Sequence, residues 1–369
     1  MINKKALTYY QVGDSYDTKD PIKKLAQAAA FSTGKNLKKH KFEEVTDTRG
    51  ESAYVWKQGS VYMASVIEGL GTKNLIADRT HEITGKSYYG IIAQDTVATI
   101  INDLVTVGAM PLVLHAYWAI EDNSWLANVV RMRDFIKGWK KACNIAGVSW
   151  GGGETATMKQ VVVPGSAEFG GSAVGIIKLK KHLITDKKLK AGDSIVLIKS
   201  TGINANGLSL ARAVAKKLNE GYGTKMKSGV LYGEALLTRS NLYSKLISDL
   251  QKGGVDIHYI SNITGHGVRK IMRARPAFTY IVERIFQPQE VFNFIQENTG
   301  LDDYEMYQTF NMGQDYAIFV SPKDVKKTLD IIQKNKFKAI QAGIVEKGKK
   351  QVIIKPKNII YSSETLDLR

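Results

Sequence analysis

Four times in this chain a short apolar run stops at a glycine-bearing turn. The turns are EGLGTK at 68–73, GGGET at 151–155, TGINANG at 201–207 and NITGHG at 262–267. Glycine tolerates left-handed backbone and lets N–H groups approach an anion closely. Each turn is therefore predicted to close a buried strand and to leave backbone donors at its end. Segments with helical periodicity lie between them, and a chain that alternates in this way reads as mixed α/β.

In the first half, strands are expected at 61–68, 110–118, 148–150 and 170–177, the third running into GGGETA. Helices are expected at 90–107 and 124–145. Ile92, Val97, Ile100, Ile101, Leu104 and Val107 fall on roughly one face of the first. Residues 1–50 read as polar and turn-rich. The charged stretch KLKKHLITDKKLK, 178–190, is the candidate boundary between domains 1–178 and 179–369. Beyond it strands are expected at 195–198, 255–260, 316–320, 338–345 and 351–355. Helices are expected at 206–219, 233–251, 289–298 and 322–334.

Two features narrow the compartment and the partners. The single cysteine, Cys143, allows no intramolecular disulfide, which suits a reducing compartment such as the cytoplasm. The N-terminus lacks the apolar segment of a secretory signal. The long apolar stretch 97–120 contains Asn102, Asp103, Gly108 and Pro111, so it reads as a soluble helix followed by a strand rather than a membrane span. The net charge of +17 is spread as lysine over several segments, without a zinc-ligand set or RNP-type motif. A solvated basic surface explains that charge better than nucleic acid does.

The first two turns carry carboxylates, and Asp95, Asn102 and Asp103 add oxygen atoms from the 90–107 helix. Magnesium prefers oxygen ligands and is commonly shared with substrate phosphates. Lys73 would offset phosphate charge, and Glu154 would take a metal or a ribose hydroxyl. The set reads as a nucleotide–metal pattern without a P-loop. The last two turns are poor in acid. ITGHG opens onto a segment expected as a helix from 268 to 273, where exposed N–H groups suit a phosphate and Arg269 and Lys270 add charge. A simple helix cap by Thr or Asn is the alternative at each turn. His115, His182 and His266 lack metal-ligand spacing, and His115 reads as a core histidine.

These segments carry a resemblance to phosphoribosylformylglycinamidine cyclo-ligase, also called aminoimidazole ribonucleotide synthetase, over about residues 8–355. TYYQVGDSYD at 8–17 resembles the family's opening, and EGLGTK resembles its Asp-Gly-Val-Gly-Thr-Lys. NDLVTVGAMPL at 102–112, GGETA at 152–156, NGLSLAR at 206–212, ITGHG at 263–267, EVFNF at 290–294 and EMYQTFNMG at 305–313 follow in order. The resemblance implies an N-terminal half-barrel domain that dimerises, then a C-terminal α/β sandwich-like domain. It implies ATP contacts from Glu68, Gly71, Thr72, Lys73, Asp95, Asn102 and Glu154, and Mg2+ at Glu68, Asp95 and Asp103. Substrate contacts fall to Asn206, Thr264, Gly265 and Gly267, and catalytic positions to Lys73, Asp95, Asn204 and Asn262. The implied partners are a second copy of the chain, ATP and a phosphorylated ribonucleotide.

The implied reaction uses ATP to phosphorylate the formyl oxygen of formylglycinamidine ribonucleotide, after which nitrogen closes the imidazole ring. This sequence departs from the family pattern at five single positions, and the family's N-terminal glycine-rich loop is here KFEEVTDTRG at 41–50. Glu68 stands for an aspartate, Ala116 for an aspartate, Asn204 and Asn262 for histidines, and His266 for a glycine. Asparagine cannot trade a proton near neutral pH as histidine does. The resemblance therefore leaves two readings: a working cyclo-ligase, or a nucleotide-binding regulatory or scaffold subunit.

Overall fold

The computed structural model describes residues 16–366. Six strands of the first half form one sheet: β1 (Glu43–Glu44), β2 (Tyr54–Gln58), β3 (Val61–Gly69), β4 (Met110–Ile120), β5 (Ser149–Thr157) and β6 (Ala167–Ile177). Their order is β1-β2-β3-β6-β4-β5, and only the β4–β5 pair is parallel. The Tyr89–Val105 helix packs on β3 and β6, and the Val129–Ala146 helix packs on that helix in turn. Nearly every residue of Tyr89–Val105 is buried, including Asp95, Asn102 and Asp103. Buried polar groups need hydrogen-bond partners, and each of these three has at least one in the second half of the chain.

The second half forms a seven-stranded sheet from β7 (Ser194–Lys199), β8 (Ile257–Asn262), β9 (Phe278–Val282), β10 (Gln314–Val320), β11 (Ala339–Lys347), β12 (Gln351–Ile354) and β13 (Ile359–Ser362). The order is β13-β12-β9-β11-β7-β10-β8, antiparallel except for β12–β9. Every residue of β8 and β10 is buried, although β8 is an edge strand of this sheet. The Ser244–Lys252 helix fits between this sheet's helices and the first half, touching the 89–105 and 129–146 helices. The two sheets thus share one apolar core.

Several sequence expectations need correction. Residues 16–33 form a helix rather than turns. The expected 124–145 helix is a 3-10 turn, Asn123–Ala127, then an α-helix started by Asn128, whose side chain accepts from the Arg131 N–H at 3.0 Å. The expected 233–251 helix is two helices, Tyr232–Leu236 and Ser244–Lys252. GGGET is no turn but the middle of β5. A Cβ at Gly153 would sit 2.1 Å from the Ala116 carbonyl oxygen, so glycine permits the close β4 approach. The 268–273 segment is the 3-10 helix Gly267–Met272, wholly buried, so it offers no α-helical N-terminus to a phosphate. His115 is exposed on the helix-free face of the first sheet, not in the core. Cys143 is buried as expected, and burial pushes its thiol up to about 11.

Candidate active site at the domain joint

A cavity of about 670 Å³ opens where the two sheets meet. Three of the glycine turns wall it. Glu68, Gly69, Gly71 and Thr72 come from the end of β3, Asn206 and Gly207 from the loop after β7, and Thr264, Gly265 and His266 from the loop after β8. Strand ends of both sheets point at this one place, so the turns converge although they lie nearly 200 residues apart. The TYYQVGDSYD motif lies largely outside the described residues, but the helix that follows adds Lys23 and Gln27 to the rim.

The cavity is lined by both acidic and basic side chains. Glu68 and Asp103 stand together. Burial, reinforced by the Asp103 charge, pushes the Glu68 carboxyl up to about 7. Asp103 accepts from Asn262 Nδ2 at 2.7 Å, a bond that crosses from one domain to the other. Lys270 and Arg273 line the cavity too. Arg273 is committed to the 50–52 segment, donating to the Gly50 carbonyl at 2.7 Å and Ser52 Oγ at 2.9 Å. Lys270 donates to Thr264 Oγ1. Burial, with Arg273 close by, pulls its amine down to about 8. His266 is pulled down to about 2 by burial and by Lys270 and Arg269, so its imidazole is neutral and cannot shuttle a proton near pH 7.

Other expected site residues lie elsewhere. Lys73 and Asp95 are both fully buried and paired with each other. The Lys73 ammonium also donates to the Thr238 carbonyl at 2.9 Å, and Asp95 accepts from the Ser240 N–H at 2.7 Å. Asn102 spans Asn241 and Tyr243, donating to the first carbonyl at 2.9 Å and accepting from the second N–H at 3.0 Å. These three side chains hold the 237–243 link in a non-helical path, which is why the expected 233–251 helix breaks there. They brace the cavity from behind and do not line it.

Asn204, at a left-handed φ of 57°, donates to Asp315 at 2.7 Å. Asp315 also accepts from Tyr243 and Asn241 and is completely buried; burial pushes its carboxyl up to about 6. Gly267 does not line the cavity. Its φ of 57°, and the Tyr307 carbonyl oxygen 2.2 Å from where a Cβ would sit, make it a packing glycine. Glu154 is exposed on β5. The cross-strand row Gly69–Gly170–Tyr117–Glu154 puts it three strand spacings from the cavity edge, roughly 14 Å.

The expected magnesium set of Glu68, Asp95 and Asp103 is thus a pair. Among the described residues no group of three or more His, Cys, Asp or Glu side chains is placed to hold a metal. Two adjacent carboxylates still fit a magnesium ion that completes its shell with water and phosphate oxygens. The raised Glu68 carboxyl is the mark of a pair that a cation would relieve. Sequence reasoning missed Glu51, Arg273, Lys23 and Gln27. Arg273 alone carried a signal, as a basic residue six positions beyond the ITGHG loop.

Fold and cavity together define a two-domain protein of the AIR synthase type. Residues 50–177 match the N-terminal domain of AIR synthase related proteins, and residues 190–355 match the C-terminal domain. The chain belongs to the AIR synthase related protein family. It is 34% identical over 344 residues to the phosphoribosylformylglycinamidine cyclo-ligase of Pyrococcus furiosus, covering 92% of this chain and 95% of that one. The cyclo-ligase of Methanococcus maripaludis strain C5 is 28% identical over 343 residues, 92% of each. Among solved structures, a HypE–HypF complex superposes with a TM-score of 0.59 at 19% identity, covering 82% of this chain and 88% of that one. Phosphoribosylformylglycinamidine synthase II from Thermotoga maritima gives 0.57 at 16% identity, over 86% of this chain and 46% of that one. These two likenesses speak for the fold.

Proposed function

We propose that this protein is an ATP-dependent cyclo-ligase of purine biosynthesis. It would convert formylglycinamidine ribonucleotide and ATP to aminoimidazole ribonucleotide, ADP and phosphate. The observation that carries the reading is the joint cavity, lined by a carboxylate pair and an ammonium. Its volume lies in the range of small-molecule sites. The similarity to curated cyclo-ligases over nearly the whole chain supplies the substrate class.

In this reading Glu68 and Asp103 would hold Mg2+, which when bound supplies charge neutralisation of the ATP phosphates. Gly71 and Thr72 face the nucleotide, and Asn206, Thr264 and Gly265 face the ribonucleotide. Lys73, Asp95 and Asn102 fix the distance between the walls. ATP transfers its γ-phosphoryl to the formyl oxygen. The amidine-side nitrogen then attacks that carbon and phosphate leaves. With His266 held neutral, the chemistry rests on positioning and charge stabilisation.

The reading includes a cytoplasmic homodimer. The helix-free side of the first sheet leaves Ile67 79% exposed, with Leu112 and Tyr117 also exposed, and Val161 and Val163 stand out from the loop after β5. A second copy would cover them, and static light scattering at micromolar concentration should return twice the chain mass; a monomer would remove this part. No helix among the described residues is long and apolar enough to cross a membrane.

A regulatory, nucleotide-binding subunit is the second reading. Asn204 and Asn262, where the resemblance has histidines, spend their amides on Asp315 and Asp103. Formation of aminoimidazole ribonucleotide by the purified protein decides between the two. Product above an Asp103→Ala control supports the enzyme. ATP binding without product supports the subunit.

A further inference from the structure

The resemblance points to Lys73 as the lysine that meets phosphate, and the structure turns Lys73 away from the cavity. Its ammonium goes to Asp95 and to the Thr238 carbonyl, with no exposed surface. We propose that Lys270, seated by Thr264, is the amine that grips phosphoryl oxygens in this site. This rests on the reading of the cavity as a nucleotide and ribonucleotide site.

All six residues of the Gly267–Met272 3-10 helix are buried, so the Lys270 backbone has little room to move. Ser261 Oγ donates to the Lys270 carbonyl at 2.6 Å and ties the segment to β8. The side chain nevertheless lines the cavity. An ammonium has three hydrogens. One goes to Thr264 Oγ1. No other hydrogen bond of this amine, and no ion pair with Glu68 or Asp103, occurs among the described residues. A lysine whose task was only to neutralise those carboxylates would close on one of them, as Lys73 closes on Asp95. Lys270 stays back, and its remaining N–H donors are left for an occupant.

The neighbours narrow that occupant. Arg273 is already bonded to Gly50 and Ser52, and Arg269 spends its guanidinium on the His266 and Gln308 carbonyls and on Thr365. Of the two basic residues of the ITGHGVRKIMR stretch that line the cavity, Arg273 makes three side-chain hydrogen bonds to the 50–52 segment and Lys270 makes one, to Thr264. Lys270 lines the same cavity as the carboxylate pair, and its charge acts on both carboxylates. An occupant that lies between an ammonium and two carboxylates must be anionic on one side and reach a cation on the other. A phosphoryl group bridged to Mg2+ meets both demands, and lysine serves such groups as a point charge. That phosphoryl can belong to ATP or to the ribonucleotide.

Calorimetry on the full chain separates the two sources, with Mg-ATP and formylglycinamidine ribonucleotide as titrants. Lys270→Met is expected to weaken at least one of them tenfold or more, with a melting temperature within a few degrees of wild type. The titrant that loses affinity identifies the phosphate. Lys270→Arg should retain part of the affinity. If Lys270→Met does not fold, Thr264→Val serves: it unseats the amine and should weaken the same titrant about threefold. Both titrants binding Lys270→Met, or Thr264→Val in its place, as tightly as wild type would overturn the assignment while leaving the cavity reading standing. Wild type binding neither titrant would remove both.

Discussion

Lys73→Met tests the bracing role of the buried pair. The substitution keeps the stem of the side chain and removes the ammonium. Asp95 is then left as a fully buried carboxylate whose remaining partner is the Ser240 N–H. Breaking a buried pair by removing one partner costs about 3–5 kcal/mol, because the other charge stays behind uncompensated. Against a typical margin of 5–15 kcal/mol that is a large fraction. At roughly 2–4 °C per kcal/mol for domains of this size, the melting temperature should fall by about 10 °C. Adding Asp95→Leu should restore most of the loss, since an apolar pair of similar volume replaces a buried ion pair at little cost. Scanning calorimetry of the two variants reads both effects. A Lys73→Met protein that melts with wild type but no longer binds Mg-ATP would refute the reasoning and return Lys73 to the nucleotide.

Two further outcomes follow from buried groups. The Asp315 carboxyl, pushed up to about 6 by burial, binds its proton more tightly in the folded chain than in the unfolded one. Its contribution is therefore complete below about pH 4 and is lost as pH rises through 6, on the order of 3 kcal/mol in all. Urea melts should show wild type losing that much relative to Asp315→Asn between pH 4 and pH 6.5; a constant difference would contradict it. Gly267→Ala places a Cβ against the Tyr307 carbonyl at a left-handed φ, and should lower the melting temperature by several degrees, whereas an unchanged melt would show that the turn can shift.

What the sequence made legible was set by local periodicity. β3, β4, β7 and the 89–105 helix are long apolar runs, and each falls within two residues of its expected place at most ends. The break at 237–243 had no local signal, because Asp95 and Asn102, more than 130 residues earlier, hold that backbone. GGGET was misplaced for a related reason. Glycine in a strand allows close approach of a neighbouring strand as readily as it allows a turn, and only the β4 partner shows which applies. The convergence of three glycine turns on one cavity was foreshadowed by their shared position after strands. The exchange of Lys73 for Lys270 at the cavity wall was not, since two lysines beside two glycine turns look alike until burial separates them.

In the proposed reading the joint cavity couples ATP to a ribonucleotide. Release of ADP by the purified protein, with Mg2+ and in the presence and absence of formylglycinamidine ribonucleotide, tests it most directly. The expected result is ADP release that depends on the ribonucleotide and falls at least tenfold in Asp103→Ala. ADP release that ignores the ribonucleotide, or that Asp103→Ala leaves intact, would contradict it.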